Sequence, residues 1–262
     1  MRVRFRLAAS LLATVSATLA WPAAAAESDD WRVTISPYVW PASLDGGMEL
    51  AGFRTPVDVP FSETFENLDF SLSGDVEVRK GRWGLLFDGQ YVKTSREKEV
   101  FSQDLGLGVT KAHAQGAISY RIYDSPQGGE TATRSPRAFT IDPMIGIRWT
   151  KLKAETEVLG LELSKKAEWT EPFVGVQSSW DISRRWNVSG AADVGGFGID
   201  SKKSANAQAF LGYRTYLFQQ PSMLKVGYRA FYQRYETGDF TGQTFRWSVT
   251  QQGPVVGLSM TF

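Results

Sequence analysis

Apolar and polar residues alternate along most of the chain after residue 30, and helical periodicity is almost missing. In the stretch LDFSLSGDVEV, Leu68, Phe70, Leu72, Gly74, Val76 and Val78 share one face, while Asp69, Ser71, Ser73, Asp75 and Glu77 share the other. Lys80–Gly81 turns the chain. WGLLFDGQYV then sets Trp83, Leu85, Phe87, Gly89 and Tyr91 against Gly84, Leu86, Asp88, Gln90 and Val92, and the two runs make a hairpin. The same pattern predicts strands near 31–42, 68–80, 82–95, 104–123, 137–152, 167–182, 185–199, 204–218, 223–237 and 244–262. That is ten, an even number, as in bacterial single-chain barrels.

The connections alternate in length. Short turns (KG, SRR, QQPS) follow the second, sixth and eighth strands, and mostly longer polar pieces follow the odd ones, the longest being Pro41–Asn67. Short turns at the periplasmic end and long loops outside are the outer-membrane arrangement. One connection departs from it. Asp124–Arg137 is long yet falls on the periplasmic side, and its Pro, Gly and Thr content reads as a mobile turn.

The alternating faces differ sharply in chemistry. One carries Phe139, Ile141, Ile145 and Ile147, then Ala207, Leu211, Leu224, Val226 and Tyr228, with Trp31, Trp83, Trp149, Trp180, Trp186 and Tyr120 near strand ends. Aromatics gathered there suit the two headgroup levels of a bilayer. The opposite face carries Asp75, Glu77, Arg79, Asp88, His113, Asp142, Arg148, Glu171, Asp193, Arg214 and Arg229. A soluble sandwich shows the same alternation, so other signals must separate the two. The reading is an all-β, antiparallel, up-and-down transmembrane β-barrel of about ten strands. The charged face lines a narrow lumen, where both signs must pair or stay hydrated.

The N-terminus supplies one such signal. Arg2, Arg4 and Arg6 precede the apolar stretch LAASLLATVSATLA, and Ala24 and Ala26 stand at a small-residue cleavage site. Residues 1–26 read as a cleaved signal peptide, and 27–262 as the barrel, exported through the periplasm to the outer membrane. No later apolar run approaches the roughly 20 residues of a membrane helix. The net charge of +1 gives no electrostatic case for nucleic acid. Cys is absent, which excludes a disulfide scaffold, thiolate metal sites and a Cys nucleophile.

Three segments, ISPYVWPASLDG (Ile35–Gly46), VDVPFSETFENLDFSLSGDVEVRKGRWGLLFDGQYV (Val57–Val92) and IDPMIGIRW (Ile141–Trp149), resemble a family of uncharacterised proteobacterial outer-membrane β-barrel proteins. The resemblance is strongest over Trp31–Lys93. It implies an outer-membrane barrel and implies no activity, cofactor or site residue. Within it, Gly47–Phe61 has the pattern of a small hairpin, a lid, a plug or a surface loop; joined to the wall it raises the strand count to twelve. Ser62–Leu68 begins with an incomplete capping box and suits one helical turn.

Catalytic signals are weak. His113 is the single histidine, flanked on its face by Lys111 and Gln115, with no carboxylate or Ser two residues away. No nucleophile elbow, phosphate loop, EF-hand loop or zinc spacing is present, so no cofactor or metal is expected. Three functions compete: a non-catalytic structural barrel or narrow small-solute channel, a surface-binding protein acting through 41–67, and an outer-membrane hydrolase at His113. The final strand GPVVGLSMTF directs Pro254, Val256, Leu258, Met260 and Phe262 to lipid. Upstream, Phe245, Trp247 and Val249 have the opposite parity, so a bulge near Gln251–Pro254 is expected. Phe262 resembles the signal read by the barrel-assembly machinery. Deleting Phe262 is expected to impair assembly, measured as a fall in the amount of protein in isolated outer membranes; normal levels would argue against that role.

Overall fold

A computed structural model of the chain describes residues 30–50, 52–62, 68–100, 103–158, 161–238 and 242–262. The expected leader, residues 1–26, and most of the expected helical turn at Ser62–Leu68 lie outside them. Among the described residues, thirteen strands form one antiparallel sheet. They are β1 (Arg32–Val39), β2 (Ser43–Leu50), β3 (Phe53–Val59), β4 (Leu68–Lys80), β5 (Trp83–Val100), β6 (Gln103–Tyr120), β7 (Tyr123–Glu130), β8 (Pro136–Val158), β9 (Leu161–Trp180), β10 (Trp186–Gly195), β11 (Lys203–Leu217), β12 (Gln220–Gly238) and β13 (Thr244–Thr261).

Ten of these make a closed wall, in the order β1, β4, β5, β6, β8, β9, β10, β11, β12, β13, with β13 pairing back to β1. Closure runs from Thr34↔Thr261 to Val39↔Val256, and Phe262 exchanges backbone hydrogen bonds of 2.8 and 3.1 Å with Val33. A closed antiparallel wall satisfies every backbone group laterally, which is what a bilayer core demands. Its outer surface is apolar: Ile145, Ile147, Val174, Val176, Val188, Leu211, Leu224, Val226 and Val256 are all exposed. Trp31, Trp83, Tyr120, Trp180 and Trp186 ring the end bearing the short turns, hereafter the short-turn end. On β12 the apolar outward run Leu224–Tyr232 is about the length a tilted membrane strand needs.

The wall has the ten strands expected from the alternation, and the hairpin expected at Gly47–Phe61 exists as β2 and β3 without raising that count to twelve. Strand β2 continues the β1 register along β13, from Ser43↔Gln252 to Glu49↔Arg246, and β3 pairs with β2. Gly253 permits the break between β1 and β2, because a Cβ there would lie 2.5 Å from the Pro41 carbonyl oxygen. The polar pieces after the third and fifth predicted strands are not loops. They are paired extensions that reach Val100↔Gln103 and Val158↔Leu161; charged residues alternate with Leu152, Ala154, Thr156 and Val158 in the second, whereas the unbroken charges Arg96–Glu99 hide the first.

Asp124–Arg137, expected as a turn, holds a strand, with an irregularity between Pro126 and Glu130. Strand β7 pairs with the start of β8, and the Ala132 N–H donates to the Arg184 carbonyl across the short-turn end. Finally, β13 carries no bulge: its pairing with β12 keeps one register from Ser222↔Met260 to Gly238↔Thr244. Phe245, Trp247 and Val249 keep their inward parity and are buried in the lumen, with Leu152 of β8 and Ala167 and Trp169 of β9. Leu44, Met48 and Val57 of the β2–β3 hairpin and Tyr235 of β12 pack against this cluster. The apolar residues that a bulge would have turned to lipid instead form a cap inside the far end of the barrel.

Candidate functional site

The lumen has three levels. At the short-turn end lies a cavity of about 690 Å³, open to solvent and lined by charged and hydroxyl side chains. Alternation places these groups inward, and the small residues of the β1–β13 seam, Ser36, Gly257 and Ser259, leave the space. Near its mouth, Asp142 of β8 accepts from Arg79 Nη2 at 2.6 Å and from Arg121 Nε at 3.1 Å. Arg79 also donates to Glu77 at 2.6 Å. Asp181, between β9 and β10, accepts from Arg214 at 2.5 Å and Asn187 at 2.8 Å. Here oppositely charged groups are buried together rather than alone.

The second level stops the cavity. Arg148 is fully buried and spends its donors on Gln115 (3.0 Å), Ser204 (2.8 Å) and Asp193 (2.6 Å), with Glu171 at 3.5 Å. Its guanidinium is also stacked near the rings of Phe173 (4.6 Å) and Phe231 (4.8 Å). Asp193 accepts a second hydrogen bond from Asn206, whose carbonyl oxygen accepts from Arg229 Nε at 3.0 Å. Arg229 lies 3.6 Å from Asp88, 4.7 Å from the Trp40 ring and 3.2 Å from the Tyr38 hydroxyl, which itself donates to Asp88 at 2.8 Å. Planar guanidinium groups suit this double duty, because the edge donates while the face stacks.

The third level is the apolar cap, joined to the second by His113. His113 Nδ1 lies 3.3 Å from the Thr150 hydroxyl, and the ring meets Phe231 edge-on at 5.2 Å. Thr150 also accepts from Gln233 at 2.9 Å, and Lys111 donates to Gln251 at 2.9 Å. Above them Trp169 and Tyr235 stack 4.5 Å apart, 11° from parallel. Among the described residues no group of three His, Cys, Asp or Glu side chains is arranged to hold a metal ion.

The sequence-predicted residues thus fall into distinct sets. Glu77, Arg79 and Asp142 meet at the mouth; Arg148, Glu171 and Asp193 meet at the stop; Asp88 meets Arg229. Arg214 pairs with Asp181, which was not among the predicted residues. Asp75 faces the cavity without an ion pair among the described residues, and His113 has Thr150 and Phe231 as neighbours rather than a carboxylate.

No family model matches the chain, and no curated protein does. The resemblance drawn from Ile35–Gly46, Val57–Val92 and Ile141–Trp149 therefore stays with those residues. Among solved structures, the chain is similar to the attachment invasion locus protein Ail of Yersinia pestis: 9% identity, 88% of this chain and 98% of that one, TM-score 0.37. It is similar to the outer membrane protein OprG of Pseudomonas aeruginosa: 10% identity, 90% and 97% coverage, TM-score 0.36. A third is Neisserial surface protein A: 14% identity, 88% and 97% coverage, TM-score 0.30. Nothing about ligand or activity is carried across at this distance.

Sequence reasoning passed over Tyr38 and Phe231, and parity alone would have found them. Each is an aromatic at an inward position, Tyr38 two residues from Ser36 and Phe231 between Arg229 and Gln233. Arg121 and Asp181 lie just past the observed ends of β6 and β9 but keep the inward parity of His113 and Glu171, so alternation places them on the lumen face as well.

Because Arg148 is buried among partners that depend on its charge, Arg148→Ala is expected to destabilise the barrel by about 3–5 kcal/mol. Replacing the pair together, Arg148→Met with Asp193→Leu, is expected to cost less, since no lone charge is left behind. Denaturant unfolding of the folded barrel in detergent checks both; equal losses would refute the pairing account.

Proposed function

We infer that the protein is an integral outer-membrane barrel without catalytic activity, whose lumen is a blind polar cup facing the periplasm rather than a conducting pore. The observation that carries this is the closed stack behind the cup. Arg148, wedged against Phe173 and Phe231, is followed by the Trp169–Trp247 cap, and the cavity ends before either. The apolar outer belt with its aromatic ring supports a bilayer location, and the short turns at the cup end support the periplasm as the side it faces. His113, buried against Phe231 outside the cup lining, supports a packing role over hydrolysis.

A second reading, recognition at the far end through residues 41–67, is favoured by one observation. Among the described residues, Arg54, Arg234 and Arg246 join Glu49 and Glu236 in one ion-pair network that ties the hairpin to β12 and β13 at the far end. Under that reading, deleting residues 43–59 abolishes surface binding while the barrel still resists heat in detergent. Under the first reading, planar bilayers containing the purified barrel are expected to show no discrete conductance steps. Regular single-channel steps from the wild-type protein would overturn it.

A further inference from the structure

The cup is the size of a small-molecule site, and most of its charge is already matched. Two charged lining residues stand apart. Among the described residues, Asp75 and Lys225 make no ion pair. Asp75, on β4, sits beside Ser36 with Asp88 and Glu77 as like-charged neighbours, and Lys225 is its main opposing charge, beyond ion-pair distance. Lys225, on β12, holds its ammonium over the Phe210 ring, 5.7 Å from the centroid.

The two flank the closing seam on opposite sides. Asp75 is registered with Ser36 of β1, and Lys225 with Gly257 of β13. The wall between them is small and hydroxylated. Ser36 and Ser259 hydrogen-bond at 2.8 Å, and Gly257 has no side chain. A shelf of free space therefore runs between an anion and a cation. Polar capacity is free nearer the mouth as well: Arg79 Nη1 and Asn187 Oδ1, both buried on residues lining the cup, have no hydrogen-bond partner.

We propose that this shelf binds a small zwitterion, an ammonium against Asp75 and a carboxylate against Lys225, as in a free amino acid or a dipeptide. A ligand carrying both signs satisfies both groups at once. A simple cation or anion satisfies one and is repelled by the other, so the shelf discriminates by arrangement of charge rather than by net charge. The serine hydroxyls of the seam rotate to serve either end as donor or acceptor. The proposal rests on the closed-lumen reading, because the stop behind the cup makes it a site and not a passage.

The test titrates the folded barrel in detergent with glycylglycine, N-acetylglycylglycine and glycylglycinamide, followed by calorimetry. The wild-type protein is expected to bind glycylglycine about tenfold or more tightly than either blocked form, the usual worth of a charge-assisted hydrogen bond. Asp75→Asn is expected to erase the penalty for acetylation, and Lys225→Gln the penalty for amidation. Asp75→Glu and Lys225→Arg are expected to restore each preference. Equal binding of the three probes, no binding, or preferences untouched by the variants would overturn the site. Conductance in planar bilayers reports on the closed lumen separately. A conducting barrel that keeps these preferences overturns only the closed lumen, and a silent barrel without them overturns only the site.

Discussion

The structure depends on one constraint: a backbone surrounded by hydrocarbon must satisfy all its N–H and C=O groups against itself. Here the pairing of β1 with β13 meets it. Once that seam is closed, each wall strand has one lipid face and one lumen face, and the period-two pattern fixes which residue goes where. The charged lumen follows directly. With about ten strands the interior is narrow, so charges directed inward arrive within reach of one another and must be matched.

The matching differs with depth. Near the mouth, Arg79, Arg121 and Asp142 form one ion-pair cluster on the wall of the open cavity, with Arg79 and Asp142 buried against each other. Farther in, Arg148 is cut off from solvent and depends on carboxylate, amide, hydroxyl and two aromatic faces together. Such a group is poor evidence for added stability but a strong constraint on which arrangement is tolerated. Beyond it the lumen changes character, and Trp169, Phe245 and Trp247 fill space by dispersion and exclusion of water. Polar mouth, ionic stop and apolar cap are three solutions to filling one cylinder.

Much of this was legible from residues alone. The inward placement of Asp142, Arg148 and Asp193 and the outward placement of Ile145, Ile147 and Val226 follow from parity, because a strand cannot move one residue without moving all. Pair identities were less accessible. Arg214 meets Asp181 through a turn, and Arg229 meets Asp88 across strands far apart in sequence, neither of which alternation encodes. The chief misreading was Phe245, Trp247 and Val249. An apolar residue on a barrel strand was equated with lipid, and parity was broken to keep the rule. The structure keeps the parity and abandons the equation. The fold of residues 124–137 was hidden for a related reason: Pro and Gly obscure a pairing that the neighbouring strand imposes.

Strand β13 meets β1 along its lower half and β2 along its upper half in a single unbroken register, with Gly253 at the join. The last strand therefore does two jobs. Its lower half shuts the cylinder, and its upper half holds the hairpin of β2 and β3 against the apolar cap. Wall and stopper thus share one register: a slip that misaligned the seam would shift the hairpin with it.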